Sequence, residues 1–211
     1  RLLVFARKPA PVQVTAWGHA TGTGLETMDY LFADPVAVPQ EERSLYAEEV
    51  VDLPCWGCYE PPEYLPEVSP LPALGGRPFT FGCINRIEKI SDRAMALWGR
   101  ILAEVPEAGL LIKGKGLDDP EHREQFFRRL RDAGVGAERV RLLGASPHVD
   151  HLKIYHEVDL GLDPFPQGGG MSTAEALWMG VPVVTLNGST IPARVTASIL
   201  TVLQMQEWIA H

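Results

Sequence analysis

A lysine, a run of three glycines and an acidic residue stand in this sequence where a phosphate-bearing ligand would need them. Gly168, Gly169 and Gly170 let the backbone pass close to a ligand. Ser172 and Thr173 stand where a helix N-cap is expected, so the amides at the helix start point out of the loop. Together with the helix dipole they make a site for an anion, most naturally a phosphate. Glu175, expected within the first turn, is in reach of a ribose hydroxyl. Lys89 offers a phosphate a point charge, and Arg86 offers a fork of donors. His151 is suited to stack on a base or hydrogen-bond to it. His148 and His151 lie three apart and share a helix face, but a metal site needs more ligands than the sequence supplies there. Singly, each of these residues is also what a solvated loop charge or a tight strand-to-helix turn looks like. Jointly they read as a pocket for a nucleoside diphosphate.

These residues need a framework, and the pattern from residue 76 onward supplies one. Short apolar runs predict strands at Phe79–Ile84, Gly109–Lys113, Val140–Leu143, Val158–Leu162 and Val181–Leu186. Between them lie helical patterns. Ser91 or Asp92 caps a helix over about 93–105, with Met95, Leu97, Trp98, Ile101 and Leu102 as its apolar face. Pro120–Ala133 turns Phe126, Phe127 and Leu130 inward and is ended by Gly134. A short helix is expected over 147–156, the central helix over Ser172–Met179, and another over Ile191–Leu203. This alternation predicts an open, doubly wound parallel sheet with helices on both faces. In such a sheet ligands bind outside the carboxyl ends of the strands. Four loops leave those ends: Asn85–Lys89, Lys113–Gly116, Ala145–His151 and Asp163–Ser172.

The first 75 residues read differently. Val12–Trp17 alternates as a strand does and leads into a loop with three glycines, Gly18, Gly22 and Gly24, in which His19 is a candidate polar contact. Met28–Ala33 and Val50–Pro54 are further short strands. Pro39–Glu49 reads as an acidic surface helix with Leu45 and Tyr46 inward. Pro61, Pro62, Pro66, Pro70 and Pro72 exclude regular helix or central strand, so this stretch is expected to be the linker, with a boundary near residue 75.

Composition narrows the class. Apolar residues at 45% and charged residues at 22% suit a soluble globular protein. A net charge of −8 argues against a general nucleic-acid-binding role. No apolar run approaches the ~18 residues of a membrane span. No basic segment leading into an apolar stretch opens the chain, and the expected setting is cytoplasmic. The chain starts at Arg1 and reads as a piece of a longer polypeptide. Cys55 and Cys58 form a CxxC with no helical pattern after it and read as thiols in a turn.

Four stretches, in this order and spacing, resemble one family: 7–30 (RKPAPVQVTAWGHATGTGLETMDY), 81–106 (FGCINRIEKISDRAMALWGRILAEVP), 163–188 (DPFPQGGGMSTAEALWMGVPVVTLNG) and 193–200 (ARVTASIL). The chain resembles the catalytic region of the O-linked N-acetylglucosamine transferases, including the SPINDLY-type proteins and bacterial tetratricopeptide-repeat relatives. The resemblance implies an α/β fold of the GT-B type. Residues 1–75 would be the end of the first catalytic domain and linker, and 76–211 the Rossmann-like nucleotide-sugar domain. It implies a UDP-sugar donor, inverting transfer to Ser or Thr hydroxyls of an acceptor protein or peptide, and no cofactor or metal. By matched position, Asn85, Arg86 and Lys89 form the diphosphate loop, with Lys89 stabilising the leaving group. Ser146, His148 and His151 lie on the uracil and ribose side. Gln167, Gly170, Met171, Ser172 and Thr173 belong to the phosphate loop and helix start, and Glu175 is the ribose acid. Trp17, Gly18 and His19 form the sugar-side loop. Relatives often differ at Arg86, His148 and Gly170–Ser172; the first and third leave GDP-fucose open as donor, and the third, with the shortness of the piece, leaves open a nucleotide-binding or interaction module without catalysis. A piece lacking the acceptor-selecting repeats is expected not to turn over alone.

Overall fold

The computed structural model describes residues 2–17 and 21–211. The chain forms two compact units: residues 1–58 with 186–211, and residues 59–185.

In the first unit a short helix, α1 (Leu2–Phe5), precedes three short strands, β1 (Val14–Thr15), β2 (Tyr30–Ala33) and β3 (Glu49–Asp52). They pair in parallel in the order β1-β2-β3. β2 shows the expected period of two, with Leu31 and Ala33 fully buried and Tyr30 and Phe32 half-buried. Gln40–Leu45 is a 3₁₀ turn rather than the helix expected over 39–49. No side chain caps its start, and Leu45, expected inward, is 79% exposed.

The second unit holds β4 (Thr80–Ile84), α2 (Asp92–Glu104), β5 (Gly109–Lys113), α3 (Pro120–Asp132), β6 (Val140–Leu143), α4 (His148–Lys153), β7 (Leu160–Leu162), α5 (Met171–Trp178) and most of β8 (Val183–Leu186). The strands run parallel in the order β6-β5-β4-β7-β8. Alternation along each strand divides two cores. Phe81 and Cys83 of β4 and Leu110 and Ile112 of β5 pack with Met95, Trp98 and Leu102 of α2 and Phe126 and Leu130 of α3. Ile84 and Leu111 turn the other way, to Leu152, Tyr155, Ala176 and Met179. Each large apolar side chain buried in this way contributes about 1.5–3 kcal/mol.

Helix ends follow local chemistry. The Ser91 hydroxyl caps α2 by accepting from Ala94 N–H at 3.1 Å. Asp119 caps α3, and Gly134 at φ +83° closes it. Helix α5 departs from expectation: its N-cap is Gly170 with no side-chain cap, so Ser172 and Thr173 lie inside the first turn and Glu175 beyond it.

The division into units also differs from a boundary near 75. The proline-rich stretch is bound into the second unit, where Ala73 N–H donates to Asp159 at 2.7 Å and Glu67 O lies 2.9 Å from His156 Nε2. After β8 the chain returns to the first unit as α6 (Ile191–Val202) and β9 (Ile209–Ala210). There Arg194 of α6 forks onto Glu42 at 2.6 and 2.7 Å, and Ser198 donates to Asp34 at 2.5 Å. Among the described residues no helix is long and apolar enough to cross a membrane.

Candidate functional site

In the order β6-β5-β4-β7-β8 the winding reverses between β4 and β7, and a crevice opens at the carboxyl ends of those two strands. The loops that leave them are Asn85–Lys89 and Asp163–Gly170, and direct bonds join the two. Lys89 Nζ donates to Gly168 O at 2.6 Å. Ser91 Oγ donates to Phe165 O at 2.6 Å. Asn85 Nδ2 donates to Ser172 Oγ at 2.9 Å.

The glycine-rich loop is shaped from beneath by Asp163, a buried residue at the end of β7. Its Oδ1 accepts Gly169 N–H at 2.7 Å, and its Oδ2 accepts the Thr185 hydroxyl at 2.8 Å. A Cβ on Gly169 would stand 2.2 Å from Thr173 Oγ1, so only glycine fits. Sequence reasoning did not single out Asp163; an acid ending an apolar strand directly before a glycine-rich loop was the available signal. Asp163→Ala is expected to destabilise this unit by about 2–4 kcal/mol, because a buried amide and a buried hydroxyl lose their acceptor. Urea unfolding measures this, and a loss below about 1 kcal/mol would contradict the assigned role.

The hydrogen-bond ladder of α5 begins at Ala174 N–H to Gly170 O, 3.0 Å. The amides of Met171, Ser172 and Thr173 therefore form the positive end of the helix beside the Lys89 loop. Lys89 is half-buried. Burial, then the charge of Arg86, lowers its ammonium below the ordinary lysine value, while Asp163 and Cys83 act in the opposite sense. Arg86 and Gln167 are exposed.

Three residues further along α5, on the face shared with Ser172, Glu175 is buried to 7% exposure. Its two oxygens lie 2.9 Å from His148 Nε2 and 3.5 Å from His151 Nε2. Burial alone would raise its carboxyl, but hydrogen bonds from His151 and His148 outweigh that and hold it below the usual value. The two imidazoles stack with centroids 5.9 Å apart. Ser146 is exposed in the loop before α4, held at its base by Lys113 Nζ to Gly144 O (2.5 Å) and Ala145 N–H to Asp118 (2.9 Å).

The structure thus brings Asn85, Lys89, Gly170, Met171, Ser172 and Thr173 together, and joins His148 and His151 to Glu175. Gly18 and His19 lie outside the described residues. Trp17, which precedes them in the first unit, donates its indole N–H to Trp56 O at 2.5 Å. Among the described residues no group of three or more His, Cys, Asp or Glu could hold a metal ion.

A helix start and a half-buried lysine meet at the switch point of a parallel sheet, in a fold that matches GT-B glycosyltransferases. The chain belongs to glycosyl transferase family 41, whose sequence model matches residues 74–211. It is 38% identical to an Arabidopsis thaliana protein named "Probable UDP-N-acetylglucosamine--peptide N-acetylglucosaminyltransferase SPINDLY", over 100% of this chain and 23% of that protein. A solved O-GlcNAc transferase mutant from Thermobaculum terrenum superposes with a TM-score of 0.92 at 39% identity, covering 100% of this chain and 40% of that one. Sucrose-phosphate synthase from Thermosynechococcus elongatus, with a TM-score of 0.52 at 17% identity over 87% of this chain and 51% of its own, shares the fold alone. The chain spans about a quarter of the length of the curated relatives it matches.

Proposed function

We propose that this chain is the donor-binding part of a protein O-glycosyltransferase. It would move N-acetylglucosamine from a UDP-sugar to Ser or Thr hydroxyls of an acceptor protein or peptide, with inversion and without a metal ion. The observation that carries this reading is the Lys89 ammonium, half-buried and bonded to Gly168 O, next to the start of α5. The named activities of the relatives in the family support it.

In the reaction the acceptor oxygen attacks the anomeric carbon from the face opposite the diphosphate. The bond from that carbon to the β-phosphate oxygen breaks, and its electron pair leaves with UDP. The hydroxyl proton is lost to the departing phosphate or to water. Negative charge grows on the diphosphate, where Lys89 and the amides of Met171, Ser172 and Thr173 offset it; this is electrostatic catalysis. Asn85 and Arg86 complete the diphosphate side. Glu175 accepts from the ribose, Ser146, His148 and His151 flank the base, and Gln167 and Gly170 close the loop. Gly18 and His19 are assigned to the sugar side. A cytoplasmic setting belongs to this reading, and the free thiols of Cys55, Cys58 and Cys83 fit a reducing compartment.

Calorimetric titration with UDP and GDP tests the proposal. Binding of UDP in preference to GDP is the expected result. A preference for GDP would move the donor to GDP-fucose. No binding of either nucleotide by the folded chain would overturn the reading in favour of a non-catalytic module.

The pH dependence follows from Lys89. Only the ammonium form attracts diphosphate, and its pKa is lowered by burial, so UDP affinity is expected to fall as pH rises through a value below that of an ordinary lysine. Lys89→Arg should remove that decline, because a guanidinium keeps its charge. Titrations from neutral to alkaline pH check both statements.

A further inference from the structure

The proline-rich stretch that reads as a linker carries a side chain into the site. The Tyr64 hydroxyl lies 3.0 Å from His148 Nδ1, and the two rings meet edge to face with centroids 5.8 Å apart at 90°. The backbone around Tyr64 is held in place by Leu65 N–H to Pro62 O at 3.1 Å and by the contact of Glu67 O with His156 at 2.9 Å. On its other nitrogen, His148 meets Glu175 Oε1 at 2.9 Å.

The chemistry of the three groups fixes the direction of these bonds. An ionised carboxylate only accepts, so the proton of this contact sits on His148 Nε2. A neutral imidazole protonated on Nε2 has a bare lone pair on Nδ1, and the donor facing that lone pair is the Tyr64 hydroxyl. We propose that Tyr64 is a positioning residue of the donor site: its hydroxyl donates to His148 Nδ1 and so holds the ring with its Nε2 proton aimed at Glu175.

The consequence for ligands rests on the donor-site reading above. A carboxylate has about four acceptor positions. His148 and His151 occupy one on each oxygen of Glu175, which leaves one on each oxygen for a ligand that presents two adjacent hydroxyls. A ribose has that diol. The Glu175 carboxylate keeps the proton on Nε2 with or without Tyr64, but without the hydroxyl the ring is held at one nitrogen only. His148 could then swing about that single bond and carry the Glu175 carboxylate away from the geometry that receives the diol. Tyr64 therefore acts on the recognition of the ribose hydroxyls and not on the diphosphate.

Two measurements on this chain and on Tyr64→Phe test the proposal. Tyr64 is 55% exposed and the substitution removes a single oxygen, so the variant is expected to fold. Nitrogen-15 NMR of the imidazoles, at a pH where they are neutral, is expected to show His148 protonated on Nε2 in both chains, with the Nδ1 resonance of Tyr64→Phe moved toward that of a lone pair without a donor. A parent ring protonated on Nδ1, or an Nδ1 resonance unchanged in the variant, overturns the proposal. Calorimetry with UDP and with 2′,3′-dideoxyuridine diphosphate reads the consequence. Tyr64→Phe is expected to weaken UDP by about fivefold and leave the dideoxy analogue unchanged. Equal weakening of both, or of neither, overturns the role in ribose recognition. If neither nucleotide binds the parent chain, the donor-site reading fails, and the NMR measurement alone decides whether Tyr64 donates to His148.

Discussion

Lys89→Ala is expected to reduce turnover of a UDP-sugar by at least about a hundredfold in a polypeptide that carries this chain with the rest of the enzyme. On this chain alone it should weaken UDP by about tenfold or more, with little change in folding stability. The two readouts differ because the charge on the diphosphate grows as the glycosidic bond breaks. An ammonium beside it is worth more in the transition state than in the bound ground state. Little stability is lost because Lys89 loses solvation on folding and recovers one bond, to Gly168 O at 2.6 Å. A second cation, Arg86, directly precedes the 3₁₀ turn Ile87–Lys89 but is exposed, so it cannot replace a charge held in the crevice. Turnover within tenfold of the parent would remove Lys89 from the mechanism.

Asp34→Ala is expected to cost about 3–5 kcal/mol and to be the most damaging single change in the first unit. Asp34 is 2% exposed and accepts four bonds: Val36 N–H at 2.9 Å, Ala37 N–H at 2.8 Å, and Trp56 N–H and the Ser198 hydroxyl at 2.5 Å each. Alanine would leave these donors without an acceptor where water does not reach. Asp34 also joins three segments far apart in sequence, the turn after β2, the CxxC turn and α6. Urea unfolding followed by tryptophan fluorescence reports the loss, since Trp56 N–H is one of the donors. Asp34→Asn keeps one carbonyl oxygen and should cost less; equal costs for the two variants would contradict the count of bonds.

Much of the second unit was legible because its elements are local. Ser91, Met95, Trp98 and Leu102 mark α2 by a cap and an apolar face, and the continuous strands of a doubly covered sheet identify themselves by composition. Four loops were candidates for the crevice, and choosing Asn85–Lys89 and Asp163–Ser172 among them needed the strand order that the structure supplies. What stayed hidden depends on partners distant in sequence. Leu45 looks like an inward residue until the three-dimensional neighbours turn out to be absent. Glu175 looks like a free acid until His148 and His151 are folded onto it. Tyr64 sits among prolines and carries no local signal at all. The start of α5 was misread by one or two residues, because glycine caps a helix through its backbone and leaves no side-chain signature. Arg194 reads as one more surface charge in ARVTASIL, yet it is 7% exposed and forked onto Glu42.

The order in which contacts become available during synthesis is itself a consequence of the chain path. Residues 59–185 form one uninterrupted run, while the first unit is assembled from residues 1–58 and the closing segment 186–211. A ribosome making this chain delivers every residue of the second unit before it delivers Arg194 and Ser198. Until then Asp34 lacks one of its donors and Glu42 its counter-ion, although the sheet β1-β2-β3 is already synthesised. Vectorial synthesis therefore makes the contacts within residues 59–185 available before those that α6 brings to Asp34 and Glu42.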